Sequence, residues 1–265
     1  MEITEILGYI GALMVGLVLG LIGGGGSILT VPILVYFFYL NPVTATAYSL
    51  FVVGSTALVG ALRNMQKGLV VFKTAFVFAG PALTMVFITR KFVIPAIPDQ
   101  LFNLGDFAVT KSIAIMVFFA VIMLLASITM IRNKKPEQDK VILKTNYPVL
   151  MIQGVIIGFN TGLVGAGGGF LIIPALVLLA GLPMKKAVAT SLFIIAINSL
   201  IGFTGDVTNM NVDWPFILTF TALSIIGIFI GIWLNNFIDG KKLKKVFGWF
   251  VLVMGIYIIY KEISK

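Results

Sequence analysis

The chain has 265 residues, 59% of them hydrophobic and 11% charged, with a net charge of +9. A soluble domain is about 25% charged and 45–50% apolar. Here no charged residue occurs between Glu5 and Arg63, and a second uncharged stretch runs from Thr145 to Met184. Such stretches cannot give surface helices a polar face, which excludes a soluble enzyme, a nucleic-acid binder and a secreted domain.

A bilayer core about 30 Å thick needs roughly 20 helical residues. The acidic start Met1-Glu2-Ile3-Thr4-Glu5 lacks the positive region of a cleaved signal, so the first apolar segment is read as a retained span. In chain order the apolar runs predict ten segments: 6–22, 27–40, 44–62, 70–89, 111–131, 148–165, 169–182, 187–205, 214–236 and 246–261. The second and seventh are short and each follows a glycine cluster, so they read as partial spans. The expected class is an all-α polytopic membrane protein of about ten transmembrane segments. Counted as ten crossings, these segments place 14 of the 19 Lys and Arg residues on one side. They are Arg63, Lys67 and Lys73, the basic residues of 132–144, Lys185 and Lys186, and those of 241–245. Arg90, Lys91, Lys111, Lys261 and Lys265 fall on the other. The positive-inside bias makes the first side cytoplasmic and puts both termini outside.

The chain repeats itself. Residue n over residue n+142 gives 15 identities in the 32 positions from Gly20 to Phe51, among them Gly20/Gly162, Gly23/Gly165, Gly25/Gly167, Gly26/Gly168, Pro32/Pro174 and Ser49/Ser191. The expected organisation is a five-helix repeat in 1–131, a cytoplasmic linker in 132–147 and a second five-helix repeat in 148–265. An odd number of spans turns the second copy upside down. The loops agree, since Arg63-Asn64-Met65-Gln66-Lys67 is basic and its counterpart Gly205-Asp206-Val207-Thr208-Asn209 is not. Inverted-topology repeats are the architecture of many secondary transporters, with the substrate near the midplane.

The glycine clusters Gly23-Gly24-Gly25-Gly26-Ser27 and Gly165-Ala166-Gly167-Gly168-Gly169 each predict a helix end, a sharp turn and a new helix start. Glycine lets peptide units approach a ligand. The free N–H groups and the positive dipole end of the following helix favour an anion. Close helix packing is the other reading. It suits Gly16-x-x-x-Gly20, Gly154-x-x-x-Gly158 and Gly227-x-x-x-Gly231, but four small residues in a row destabilise a continuous helix. No Gly-Lys-Ser/Thr follows either cluster, so neither is a nucleotide P-loop. The substrate-binding candidates are Gly23, Gly24, Gly25, Gly26, Ser27, Gly165, Gly167, Gly168 and Gly169, with the polar residues Ser49, Asn160, Thr161, Thr190, Ser191 and Asn198.

With neither His nor Cys, imidazole bases, thiolates and most metal ligands are missing, and no cofactor or metal is expected. Every carboxylate is assigned to a terminus or a loop: Glu2, Glu5, Asp99, Asp106, Glu137, Asp139, Asp206, Asp213, Asp239 and Glu262. Proton-driven carriers place such groups inside the membrane. Proton coupling therefore requires Asp206 or Asp213 to dip inward, or a proton carried on the substrate. Na⁺ held by backbone carbonyls at the breaks, or passive movement, fits equally. The region 92–110 reads as an external loop capping the fold.

The stretches Gly-Leu-Ile-Gly-Gly-Gly-Gly-Ser-Ile-Leu-Thr-Val-Pro (20–32) and Gly-Leu-Val-Gly-Ala-Gly-Gly-Gly-Phe-Leu-Ile-Ile-Pro (162–174) resemble the paired glycine-proline motif of the sulfite exporter TauE/SafE family, also called the toluene sulfonate uptake permease family. Ala45-x-Ala47-x-Ser49 and Ala187-x-Ala189-Thr190-Ser191 are similar to the small-residue pattern after each motif. The resemblance implies transport of sulfur-containing anions, such as sulfite, taurine or sulfoacetate, across the cytoplasmic membrane of a prokaryote. The expected partners are a small organic or inorganic anion and the lipid bilayer, with no nucleic acid; a homodimer is compatible with the sequence. The expected mechanism is alternating access between inverted repeats, and no enzyme activity is expected. The alternatives are a channel for small ions or neutral solutes and, in another class, an intramembrane enzyme or assembly factor.

Overall fold

The computed structural model describes residues 3–24, 26–104, 107–132, 146–165, 167–207, 210–235, 237 and 240–263. In the first half it contains α1 (Ile3–Ile22), α2 (Gly26–Tyr36), α3 (Pro42–Gln66) and α4 (Phe72–Ile88). A π-helical turn (Thr89–Val93) carries α4 into the single turn α5 (Ile94–Ala96). An antiparallel hairpin, β1 (Gln100–Leu104) and β2 (Phe107–Thr110), precedes α6 (Lys111–Arg132). The second half has α7 (Tyr147–Val164), α8 (Gly169–Leu178), α9 (Met184–Val207), α10 (Trp214–Leu234) and α11 (Gly240–Ile263). Local signals set several boundaries. Asn41, Asn146 and Asp213 cap α3, α7 and α10 by accepting from Val43, Val149 and Phe216 N–H groups, each with a proline in the first two helical positions.

Each predicted apolar segment coincides with one helix longer than a single turn. Among the described residues seven are long and apolar enough to cross a membrane: α1, α3, α4 with its continuation to Ala96, α6, α7, α9 and α10. The chain is thus a mostly helical polytopic membrane protein, with large apolar side chains such as Phe76, Leu125, Ile152 and Val253 exposed on its outer surface. The short helices α2 and α8, with 11 and 10 residues, rise only about 15–16 Å.

The all-α class fits this mostly helical structure; the presumed loop 92–110 contains the end of a helix and the small hairpin. One expectation is corrected: Asp206 is not a loop carboxylate but lies within α9 and is 7% exposed, while Glu262, at the C-terminal end of α11, is 1% exposed. Residues 133–145 of the presumed linker, Gly25, Ala166 and Asp106 lie outside the described residues.

Helix ends recur at the interval read from the sequence. Ile22/Val164, Tyr36/Leu178, Pro42/Met184 and Phe72/Trp214 are each 142 residues apart. The equivalent helices exchange partners. α1 packs on α10 and its counterpart α7 on α4; α3 also touches α10, and α9 touches α4. The result is one bundle of α1, α2, α3 and α10 and another of α4, α7, α8 and α9, joined mainly where α3 meets α9, with α6 and α11 paired beside them.

Contacts along each crossing give its direction. Gly54 faces Leu200, Gly60 faces Leu192 and Gly202 faces Leu50, so α3 and α9 run antiparallel. Ser224 donates to the Ala12 carbonyl at 3.0 Å and Asn235 to Leu21 at 3.1 Å, so α1 and α10 run parallel. Gly154 against Phe78, Gly158 against Ala82 and Gly162 against Thr89 make α7 and α4 parallel as well.

The small-xxx-small motifs bring backbones together. A methyl on Gly16 or Gly20 would overlap the α10 backbone, and one on Gly227 or Gly231 the α1 backbone. Gly227→Ala is therefore expected to lower stability by about 1–3 kcal/mol through overpacking, read as a fall in melting temperature in detergent. Gly80→Ala, where nothing lies within 4 Å, is expected to be neutral or stabilising through helix propensity.

Candidate functional site

Both glycine clusters break the chain inside the molecule. α1 continues to Gly23, whose N–H donates to Leu19 O at 2.7 Å. α7 closes on Gly165 and α8 opens after Gly168, both in the left-handed region at φ 71° and 66°, a conformation that costs other residues roughly 1–2 kcal/mol. Each new helix then doubles back: Gly26 lies against Val15 and Leu19 of α1, and Gly168 against Thr161 of α7. The breaks meet at the junction of the two bundles. A methyl on Gly24 would stand 2.5 Å from the Gly169 carbonyl carbon, and one on Gly169 2.6 Å from the Gly24 Cα. In this conformation the two breaks are packed closed upon one another.

Two helix stripes face the breaks. A methyl on Gly167 would meet Val53 of α3 at 2.9 Å, Ser199 of α9 at 3.1 Å and Ile195 at 3.2 Å; Ile195 also lies beside Gly169. Residues three or four apart share a helix face. Ser49 and Thr56 therefore lie on the Val53 face of α3, and Ser191 and Asn198 with Ser199 on the Ile195 face of α9. Ser49 Oγ, Thr56 Oγ1, Asn198 Oδ1 and Ser199 Oγ are buried with no hydrogen-bond partner among the described residues. Unsatisfied buried polar groups cost about 1–3 kcal/mol each, and here four gather at one crossing. The antiparallel register brings Thr56 and Asn198, equivalent positions in the two copies, to the same level. Ser191 is occupied instead, donating to Gly23 O at 3.0 Å and to Val188 O at 2.8 Å.

A charged pair stands beside the second break. Arg90, in the π-helical turn, is fully buried, with Nη1 3.3 Å from Asp206 Oδ2 and donating to Thr46 Oγ1 at 3.1 Å. Thr46 in turn packs against Gly165.

A family model for the sulfite exporter TauE/SafE matches residues 9–258. The chain belongs to the sulfite exporter TauE/SafE family. A probable membrane transporter protein of Xylella fastidiosa (strain 9a5c) is 28% identical over 256 residues, covering 94% of this chain and 92% of that protein. YunE of Bacillus subtilis (strain 168), also named a probable membrane transporter protein, is 28% identical over 278 residues, covering 95% and 96%. A probable membrane transporter protein of Methanocaldococcus jannaschii is 40% identical over 116 residues, 42% of this chain and 43% of that one. No solved structure matches the chain.

In this TauE/SafE chain the candidate residues divide. Gly23, Gly24, Gly165, Gly167, Gly168 and Gly169 form the paired breaks, with Gly26 and Thr161 at their backs. Ser49, Ser191 and Asn198 face them. Thr190 is drawn away to accept from the Val71 N–H at 3.1 Å, and Asn160 bonds the Ile156 carbonyl of its own helix at 2.9 Å. Gly25 and the Ser27 side chain lie outside what is described. Thr56 and Ser199 are not among the residues singled out from the sequence; pairing Thr56 with Asn198 as polar equivalents 142 residues apart would have found the first.

Proposed function

We propose that this TauE/SafE protein carries small anions, sulfur-containing ones such as sulfite, taurine or sulfoacetate, by alternating access between two inverted repeats of a ten-span fold with both termini outside. The observation that carries the reading is the meeting of Gly24 with Gly169: two helices of opposite copies start at one place, ringed by unpartnered hydroxyls and an amide. The inverted arrangement is supported by antiparallel α3 and α9 and by parallel α1 and α10; two copies running the same way would reverse each of these directions. The anion takes the backbone N–H groups of the two starts together with Ser49, Thr56, Asn198 and Ser199 when the breaks separate, and the bundles rock about the α3–α9 crossing. Their closure in this conformation favours a carrier over a continuously open channel.

The copies differ in one bond that suits alternation. Ser191 holds the Gly23 carbonyl, while the hydroxyl of its equivalent Ser49 has no hydrogen-bond partner among the described residues. In the opposite state Ser49 holds Gly165 and Ser191 is released.

Uptake of labelled sulfite, taurine and sulfoacetate into liposomes tests the reading. Saturable uptake of at least one supports it; flux that never saturates points to a channel. Thr56→Val and Asn198→Leu are expected to cut uptake about tenfold each, the loss of a hydrogen bond of about 1–1.5 kcal/mol. The same variants should raise the melting temperature, because an orphaned polar atom is removed. Unchanged uptake with raised stability would leave this crossing a packing feature only.

A further inference from the structure

Arg90 is fully buried, yet among the described residues only Nη1 of its guanidinium is engaged. Nε and Nη2 find no hydrogen-bond partner among the described residues. Those two nitrogens form the edge of the fork that grips an oxyanion with parallel bonds. A buried cationic N–H without an acceptor is costly, and packing alone would be served by methionine or leucine. Pro95, which has no N–H to offer the preceding turn, follows the π-helical turn that holds Arg90. Such turns recur at functional sites.

The surroundings place this fork at the second break. Thr46, its hydroxyl partner, lies against Gly165; Thr89, its neighbour in the chain, lies against Gly162; and Gly205 lies against the Arg90 Cβ. The 142-residue interval puts Val188, Ile232 and Asn64 in the places equivalent to Thr46, Arg90 and Asp206. The first break therefore has no charged counterpart.

We propose that Arg90 is the charged anion-binding residue of the transporter, taking an oxyanion on its Nε–Nη2 edge beside the second break, with Asp206 as the internal countercharge that limits how tightly the anion is held. The inference rests on the transport reading and deepens it: the fork selects a centre bearing at least two oxygens, such as a sulfite, sulfonate or carboxylate, over a halide. Asp206 repels the bound anion across a low-dielectric interior. A transport site needs that weakness, because its ligand must leave.

The test uses the full chain in detergent and in liposomes. Melting temperature is titrated with sulfite, sulfoacetate and chloride at matched ionic strength, and labelled sulfoacetate uptake is measured in parallel. Asp206→Asn keeps an acceptor for Nη1 and removes the competing charge, so the half-saturating oxyanion concentration should fall about tenfold. Arg90→Lys keeps the charge and loses the fork, so that concentration should rise about tenfold and the preference for oxyanion over chloride should vanish. Half-saturating concentrations unchanged, or moved in the opposite direction, overturn the role of Arg90 while leaving the transport reading intact. If the unaltered protein is neither stabilised by nor carries any of these anions, the transport reading falls and this inference with it. Should Arg90→Lys not fold, Asp206→Asn decides alone: tighter oxyanion binding upholds the assignment, and unchanged or weaker binding overturns it.

Discussion

Gly167→Ala is expected to abolish saturable anion uptake, whereas Gly68→Ala leaves it intact. Both glycines hold left-handed backbone, with φ of 63° and 65°, so both substitutions carry a similar strain of about 1–2 kcal/mol. Their surroundings differ. Nothing lies within 4 Å of a methyl at Gly68, while a methyl at Gly167 meets Val53, Ser199 and Ile195 at 2.9–3.2 Å. These are the side chains that α3 and α9 turn toward the second break, in the space proposed for the anion. Overpacking and strain of about 3 kcal/mol acting on binding correspond to a loss on the order of a hundredfold. Initial rates in liposomes, normalised to inserted protein, give the comparison. An equal loss in both variants would trace the effect to backbone strain and remove Gly167 from the site.

Asp206→Ala should be the most destabilising single change in the interior. It strands the Arg90 guanidinium, which is fully buried, and breaking a buried pair from one side costs about 3–5 kcal/mol. Arg90→Met combined with Asp206→Leu is expected to recover most of that loss, since two apolar side chains leave no charge to solvate. Thermal unfolding in one detergent measures Asp206→Ala, and that of Arg90→Met, Asp206→Leu and the double variant completes the cycle. Losses that simply add would mean that Arg90 and Asp206 do not act as a pair.

Much of the fold was legible because its signals are local. Apolar length located each long helix, and the four-residue glycine runs located the breaks after Ile22 and Val164. What failed was the treatment of charge. The apolar run 70–89 stops at the charges of Arg90 and Lys91, yet the helix winds on to Ala96. Asp206 likewise lies inside a helix that the apolar run 187–205 would close before it. Hydropathy averages neighbours along the chain and has no means of weighing a carboxylate supplied by another helix. A hydroxyl in a membrane helix usually bonds its own backbone. Thr46 does so, to Val43 O at 2.7 Å, and serves Arg90 as well; Thr56 does neither, a difference that only coordinates reveal. Asn160, an amide and so hard to leave unpaired in lipid, is satisfied by its own helix.

By itself the sequence determined that this is a polytopic, duplicated, glycine-broken helical protein of a transporter family, since segment length, glycine content and internal repetition belong to the chain one stretch at a time. The tertiary structure decided the exchange of α10 and α4 between the halves, the meeting of Gly24 with Gly169 and the partnership of Arg90 with Asp206 and Thr46. Each joins segments far apart in the chain. Whether such segments meet depends on how whole helix surfaces fit together, a property that no single segment carries.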